Sequence, residues 1–193
     1  MGYTAIFGGT FNPFHIGHYQ ILSSLNAASS IDEILIIPAK IPPHKDCDFS
    51  VADSDRINMC ELVSQEFSKA RVCLLEFERE GKSYTVQTVL QLKEQFPDKK
   101  FGVVCGADLL PNLHQWFDFS KLKELVTFIA FRREGNDDFE YQLNRLSSLG
   151  AEFLVVDDKI RAVSSTEFRD SPREDLLPKA VYDYIISRGL YYE

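Results

Sequence analysis

The stretch YTAIFGGTFNPFHIGH, Tyr3 to His18, runs out of an apolar strand into two glycines and then places two histidines three residues apart. Tyr3–Gly8 reads as a buried strand, and His18–Ser29 as the helix that follows it. Gly8 and Gly9 remove Cβ atoms where strand becomes loop, so main-chain N–H groups can approach a ligand closely. Thr10 adds a hydroxyl donor. His15 and His18 share one face of the first helical turn, where unpaired N–H groups and the positive end of the helix dipole collect anions. Gly17, between them, reads as room for a bulky ligand beside the helix. Glycine turn, imidazoles and helix start together make a cradle for a polyphosphate. Other readings compete. The glycines suit a plain tight turn, the histidines suit a satisfied core, and HxxH is half a metal site. For a metal no convincing third ligand appears, because His44 and Cys47 lie in a loop of flexible composition.

Outward from this stretch, strand-like and helix-like segments alternate. EILIIPA (Glu33–Ala39), RVCLLEFE (Arg71–Glu78), KFGVVCG (Lys100–Gly106), LVTFIAFRR (Leu125–Arg133) and EFLVVD (Glu152–Asp157) read as strands. Asp53–Phe67, with Ile57, Cys60, Val63 and Phe67 at helical spacing, reads as a helix, as does YTVQTVLQLKEQF, stopped by Pro97. Pro178–Gly189 begins on Pro and stops on Gly, as helices do. EGNDDFE, Glu134–Glu140, reads as an exposed loop. Continuous apolar strands separated by helices predict an α/β fold: a Rossmann-like, doubly wound, mostly parallel sheet with helices on both faces. In such sheets ligands bind beyond the carboxyl ends of the strands, where the winding direction switches. No repeat, low-complexity tract or linker divides the chain, so one domain is expected over residues 1–193, with a C-terminal helical part from about residue 164.

The 193 residues carry a net charge of −8. That balance argues against nonspecific nucleic-acid binding, which needs clustered Lys and Arg. It leaves room for a small phosphorylated ligand held by a few local cations. Cys47, Cys60, Cys73 and Cys105 form no CxxC pair and read as free thiols in a reducing compartment. The chain enters a strand directly, without a basic segment and apolar run, and its apolar stretches are too short to span a bilayer. A soluble cytoplasmic protein is expected, with no membrane partner and with a homo-oligomeric state left open.

VSSTEFR, Val163–Arg169, carries a second helix start. Ser164-x-x-Glu167 is a capping box that aims N-terminal N–H groups outward. Ser165 and Thr166 place hydroxyls near that positive end, and Arg169 follows on the next turn, a donor set suited to an anion. The plain reading is an ordinary cap with a solvated Arg.

GGTFNPFHIGH resembles GG(S/T)F(D/N)PxHxGH, the signature of the HxGH nucleotidyltransferases. PPHK (Pro42–Lys45), SYT (Ser83–Thr85), GAD (Gly106–Asp108), Trp116, VSSTEFR and the terminal YIISRGLY occur in the order seen in bacterial nicotinate-nucleotide adenylyltransferases, so the resemblance runs nearly end to end. It implies transfer of AMP from ATP to nicotinate mononucleotide. ATP binding is then carried to Gly8, Gly9, Thr10, Phe11, His15, His18, Gly106, Asp108, Ser164, Ser165, Thr166 and Arg169, with His15 and His18 catalytic. Trp116 would stack on the pyridine ring, and the Phe117 N–H and the Thr85 hydroxyl would receive its carboxylate. Lys45 would meet the acceptor phosphate, and Asp108 the ribose hydroxyls. Of Arg132 and Arg133 the resemblance favours Arg133, although Glu134 stands where the family often has Pro. Mg²⁺ is expected to arrive with ATP, chelated by phosphate oxygens and water, without a dedicated protein metal site. Rival readings are an HxGH transferase for another acceptor, such as the amide mononucleotide, and a nucleotide-binding regulatory module without catalysis. A class I aminoacyl-tRNA synthetase is disfavoured because no KMSKS-like loop is present.

Overall fold

Residues in the strands alternate between two apolar layers, which is what a sheet covered on both faces demands. The computed structural model describes residues 2–43, 51–133 and 137–192, with Arg133 by its main chain alone. Strands β1 (Tyr3–Gly9), β2 (Ile31–Pro38), β3 (Ala70–Val72), β4 (Lys100–Gly106), β5 (Thr127–Arg133) and β6 (Phe153–Ile160) form one sheet in the order β3-β2-β1-β4-β5-β6. Every neighbouring pair is parallel. Ala5 and Phe7 of β1 turn to one layer and Ile6 to the other; Ile34 and Ile36 of β2 oppose Leu35 and Ile37 in the same way.

On the first face lie α1 (Ile16–Ala27), α2 (Asp53–Ser64), α6 (Ser165–Asp170) and α7 (Lys179–Arg188), contributing Leu22, Cys60, Phe168 and Ile185 to the core. On the second lie α3 (Thr85–Gln95), α4 (Phe119–Leu125) and α5 (Phe139–Ser148), contributing Val89, Leu122 and Leu146. The doubly wound parallel sheet matches the expectation. Its winding reverses between β1 and β4, so a crevice opens at the carboxyl ends of those strands, beyond Gly9 and Gly106.

Several local expectations give way. The run Arg71–Glu78 is strand only to Val72; Leu75–Glu78 coil into a 3₁₀ turn that buries Leu75 against the second layer and turns Glu76 inward. Residues 137–140 are not all loop, because Phe139 is fully buried and opens α5. On α2 the inward face holds Asp55 and Arg56 along with Met59, Cys60 and Val63, whereas Ile57 is only half-buried. Burial pushes the thiols of Cys60 and Cys105 up, so both stay protonated and inert. Among the described residues, no helix is long and apolar enough to cross a membrane.

Candidate active site

The loop between β1 and α1 is built from inside out. Phe11 adopts a left-handed backbone (φ 49°), which swings its ring into the core. There it stacks on Phe14 at 5.1 Å and meets Phe7 edge-on at 5.4 Å. Gly9 is required by this turn, since a Cβ there would lie 2.9 Å from the Phe11 ring. Phe11 was expected among the ATP contacts; only its main chain can face a ligand.

His15 is the N-cap of α1, and the two histidines cap one another. The His18 N–H donates to Nδ1 of His15 at 3.2 Å, and the His15 N–H donates to Nδ1 of His18 at 3.2 Å. The rings stack with centroids 3.5 Å apart. With each Nδ1 accepting a main-chain N–H, the neutral form of either ring carries its proton on Nε2. Phe7, Phe11 and Phe14 pack around the His18 ring, giving it a dry backing. Gly17 does not open space for a ligand. A Cβ there would lie 3.2 Å from both the His15 ring and the Arg161 carbonyl, so its missing side chain makes room for the protein itself.

The outer loop carbonyls are held from remote parts of the chain. Arg56 on α2, fully buried, donates to the Thr10 carbonyl at 2.6 Å and to Asp53 at 2.6 Å. Ser165 Oγ donates to the Pro13 carbonyl at 2.9 Å. Arg169 donates to the Asn12 carbonyl at 2.5 Å and to Thr166 Oγ1 at 3.0 Å. Tyr191 hydrogen-bonds the Asn12 side chain. Burial, the largest influence, pushes the Tyr191 phenol up, so it remains a neutral donor. Ser164 caps α6 by accepting from the Glu167 N–H at 3.1 Å. The two helix starts therefore meet at one loop, as the sequence reading requires. In this state Ser165 and one arm of Arg169 hold that loop.

Beside the loop lies a cavity of about 190 Å³, lined by Gly8, Gly9 and Thr10 on one side and by Thr85, Trp116 and Phe117 on the other. Trp116 is half-buried. It follows a 3₁₀ turn, Leu110–Gln115, that Arg145 of α5 fastens by donating to the carbonyls of Pro111 at 2.9 Å and Leu110 at 3.4 Å. Tyr84 stacks on Phe117 at 4.4 Å. The hydroxyl of Ser83 accepts from the N–H groups of Lys40 at 3.1 Å and Ile41 at 3.2 Å, tying the loop after β2 to the start of α3. Gly106 ends β4, where a Cβ would lie 2.6 Å from Oδ1 of Asp108; the carboxylate folds back over the glycine. Arg132 is committed elsewhere, to Glu140 at 2.5 Å and over the Phe139 ring at 4.6 Å. Lys45 and the side chain of Arg133 lie outside the described residues. Among the described residues, no three His, Cys, Asp or Glu side chains gather as a metal cage.

Arg56 and Arg145 were not singled out from the sequence, and Ser83 and Tyr191 appeared there only within the runs SYT and YIISRGLY, with no role of their own. Arg56 carried a signal: it stands one helical turn from Met59 and Cys60, on the apolar stripe of α2, where a charge needs a buried partner.

The cytidylyltransferase-like family model matches residues 6–171. A protein of Bacillus cytotoxicus described as "Probable nicotinate-nucleotide adenylyltransferase" is 37% identical over 191 residues, covering 96% of each chain. A protein of the same description from Shouchella clausii is 40% identical over 130 residues, covering 67% of this chain and 68% of the relative. The structure of Plasmodium falciparum nicotinic acid mononucleotide adenylyltransferase complexed with NaAD superimposes with a TM-score of 0.80 at 22% identity, covering 99% of this chain and 98% of the other, which establishes the shared fold. On the strength of the family match and of these relatives, the chain belongs to the cytidylyltransferase-like family, in the group of the nicotinate-nucleotide adenylyltransferases.

Proposed function

We propose that this chain moves AMP from ATP to nicotinate mononucleotide, forming nicotinate adenine dinucleotide and pyrophosphate. The observation that carries the reading is the meeting of two helix starts on one glycine-turn loop, next to an aromatic-walled cavity. A polyphosphate needs the first feature and a second, ring-bearing substrate needs the other. The Bacillus cytotoxicus relative, described as a probable nicotinate-nucleotide adenylyltransferase and 37% identical over 96% of the chain, supports the same substrates.

The acceptor's phosphate oxygen attacks the α-phosphorus of ATP as the bond to pyrophosphate breaks. The nucleophile is already an anion, so no protein base is needed, and the protein contributes position and charge stabilisation. His18 donates from Nε2 to the transferring and bridging oxygens, and His15 donates alongside it. Main-chain N–H groups at Gly8–Thr10 line the phosphate path, Asp108 takes ribose hydroxyls, and Ser164, Ser165, Thr166 and Arg169 close the triphosphate from the opposite side. Trp116 stacks on the pyridine ring, while Thr85 and the Phe117 N–H receive its carboxylate. Mg²⁺ entering with ATP supplies charge neutralisation, and the donor-rich, carboxylate-poor mouth fits an ion chelated by phosphate. Incubation with ATP and nicotinate mononucleotide should release pyrophosphate and yield the dinucleotide. ATP binding without pyrophosphate release would make the chain a nucleotide sensor instead.

A further inference from the structure

In the wall of the acceptor cavity runs a polar chain that the reaction scheme does not use. Arg79 donates from Nη2 to the Thr88 hydroxyl at 2.7 Å, and that hydroxyl donates to Oε1 of Glu76 at 2.7 Å. Glu76 and Thr88 both line the cavity, at 8% and 1% exposure. The guanidinium and carboxylate of Arg79 and Glu76 also approach one another to 3.9 Å. The chain is incompletely satisfied: Oε2 of Glu76 and Nη1 of Arg79 are buried and have no hydrogen-bond partner among the described residues.

Buried polar atoms left unpaired cost stability, and an apolar trio of similar volume would hold α3 against the turn without that cost. What the polar chain adds is direction and charge. Thr88 lies three residues after Thr85 on the same face of α3, so fixing the Thr88 hydroxyl fixes the rotation of the turn that presents Thr85. The charges act on whatever the cavity holds. A lone Glu76 carboxylate in this wall would repel an anionic ring substituent, and Arg79 offsets it at close range.

We propose that Arg79, Thr88 and Glu76 form a positioning network that sets the preference of the acceptor cavity for a carboxylate-bearing over a carboxamide-bearing pyridine mononucleotide. This rests on the acceptor reading of the cavity given above. Neither Arg79 nor Thr88 touches the reacting atoms.

Trp116 is the single tryptophan and lines the cavity, so its fluorescence reports acceptor binding without turnover. Wild-type protein is titrated with nicotinate and nicotinamide mononucleotides, then Arg79→Gln, Thr88→Val and Thr88→Ser. Arg79→Gln and Thr88→Val should each weaken the acid mononucleotide about tenfold while the amide changes less than about twofold. Thr88→Ser, which keeps the hydroxyl, should restore the wild-type ratio. In turnover assays the loss should fall on the acceptor's KM and leave the KM for ATP unchanged. An acid-to-amide ratio unchanged in both variants, or both ligands weakened equally, would overturn the network while leaving the acceptor reading intact. Should Thr88→Val fail to fold, Arg79→Gln alone decides. Wild-type protein that binds neither mononucleotide would overturn the acceptor reading and the network together.

Discussion

Arg169 donates to the carbonyl of Asn12 at 2.5 Å across a sequence separation of 157 residues. With Ser165 bound to Pro13, this contact lays the start of α6 directly against the loop that carries His15 and His18. Donors from both ends of the polypeptide are thereby brought to one crevice, and the loop between β1 and α1 is shaped by them.

The imidazole pair gives the first expectation. His18→Ala removes one Nε2–H donor and the acceptor for the His15 N–H, while the ring's surroundings are already packed by Phe7, Phe11 and Phe14. Turnover should fall by about two orders of magnitude or more, the size of effect seen when one transition-state donor is lost. Circular dichroism should stay unchanged. Wild-type turnover in the variant would take His18 out of the chemistry.

Arg56 predicts a stability effect. The guanidinium is fully buried and holds both Thr10 and Asp53, and Asp53 is half exposed and can turn to water. Arg56→Leu leaves the Thr10 carbonyl without this donor and should cost roughly 2–4 kcal/mol. Urea unfolding measures it, and a loss below about 0.5 kcal/mol would mean the loop holds its shape without this tie.

At Gly106 a methyl group would collide with the carboxylate of Asp108, an exposed residue. Gly106→Ala should turn that carboxylate away at little cost in melting temperature. Under the ribose role of Asp108, kcat/KM should drop about tenfold. The same drop in Asp108→Ala, and no further drop in the double variant, would place both residues in one effect; additive losses would separate them.

Near the amino ends of β1 and β2, Glu33 accepts from Lys99 at 2.5 Å and from Arg71 at 2.8 Å. Burial pushes the Glu33 carboxyl up, but the hydrogen bonds and charges of Lys99 and Arg71 outweigh it and hold the group below its ordinary range. A lowered folded-state value contributes stability that is present above the unfolded carboxyl range, near pH 4.3, and lost as pH falls through the folded value. Glu33→Gln should therefore lower the melting temperature at pH 7 and converge with wild type in acid. A gap that stayed constant between pH 7 and pH 3 would show that Glu33 acts by shape and not by charge.

The sheet and the phosphate loop could be read from the sequence because their signals are local. Lys100–Gly106 is a continuous apolar run ended by glycine, and its observed strand has those bounds. Ser164 and Glu167 announce a helix start from spacing alone, and Ser164 caps it. The misreadings share a physical cause, which is a tertiary demand overriding a local pattern. Leu74–Glu78 looks extended, yet Glu76 turns in to meet Thr88, twelve residues on. Gly17 reads as ligand space until the carbonyl of Arg161, from the other end of the chain, is seen to need it. The roles of Arg56, Arg145 and Tyr191 were not legible because each acts on main-chain oxygens or on Asn12 at long sequence range, where no periodicity points.

The bond from Tyr191 to Asn12 has a consequence for how the molecule is made. During translation every strand of the sheet leaves the ribosome before residue 191 does, so the loop between β1 and α1 can acquire this tie only after the whole sheet has been made. A product truncated at Gly189 would keep all six strands, α7 and the ties from Arg56, Ser165 and Arg169, and would lose only the one that holds the Asn12 side chain.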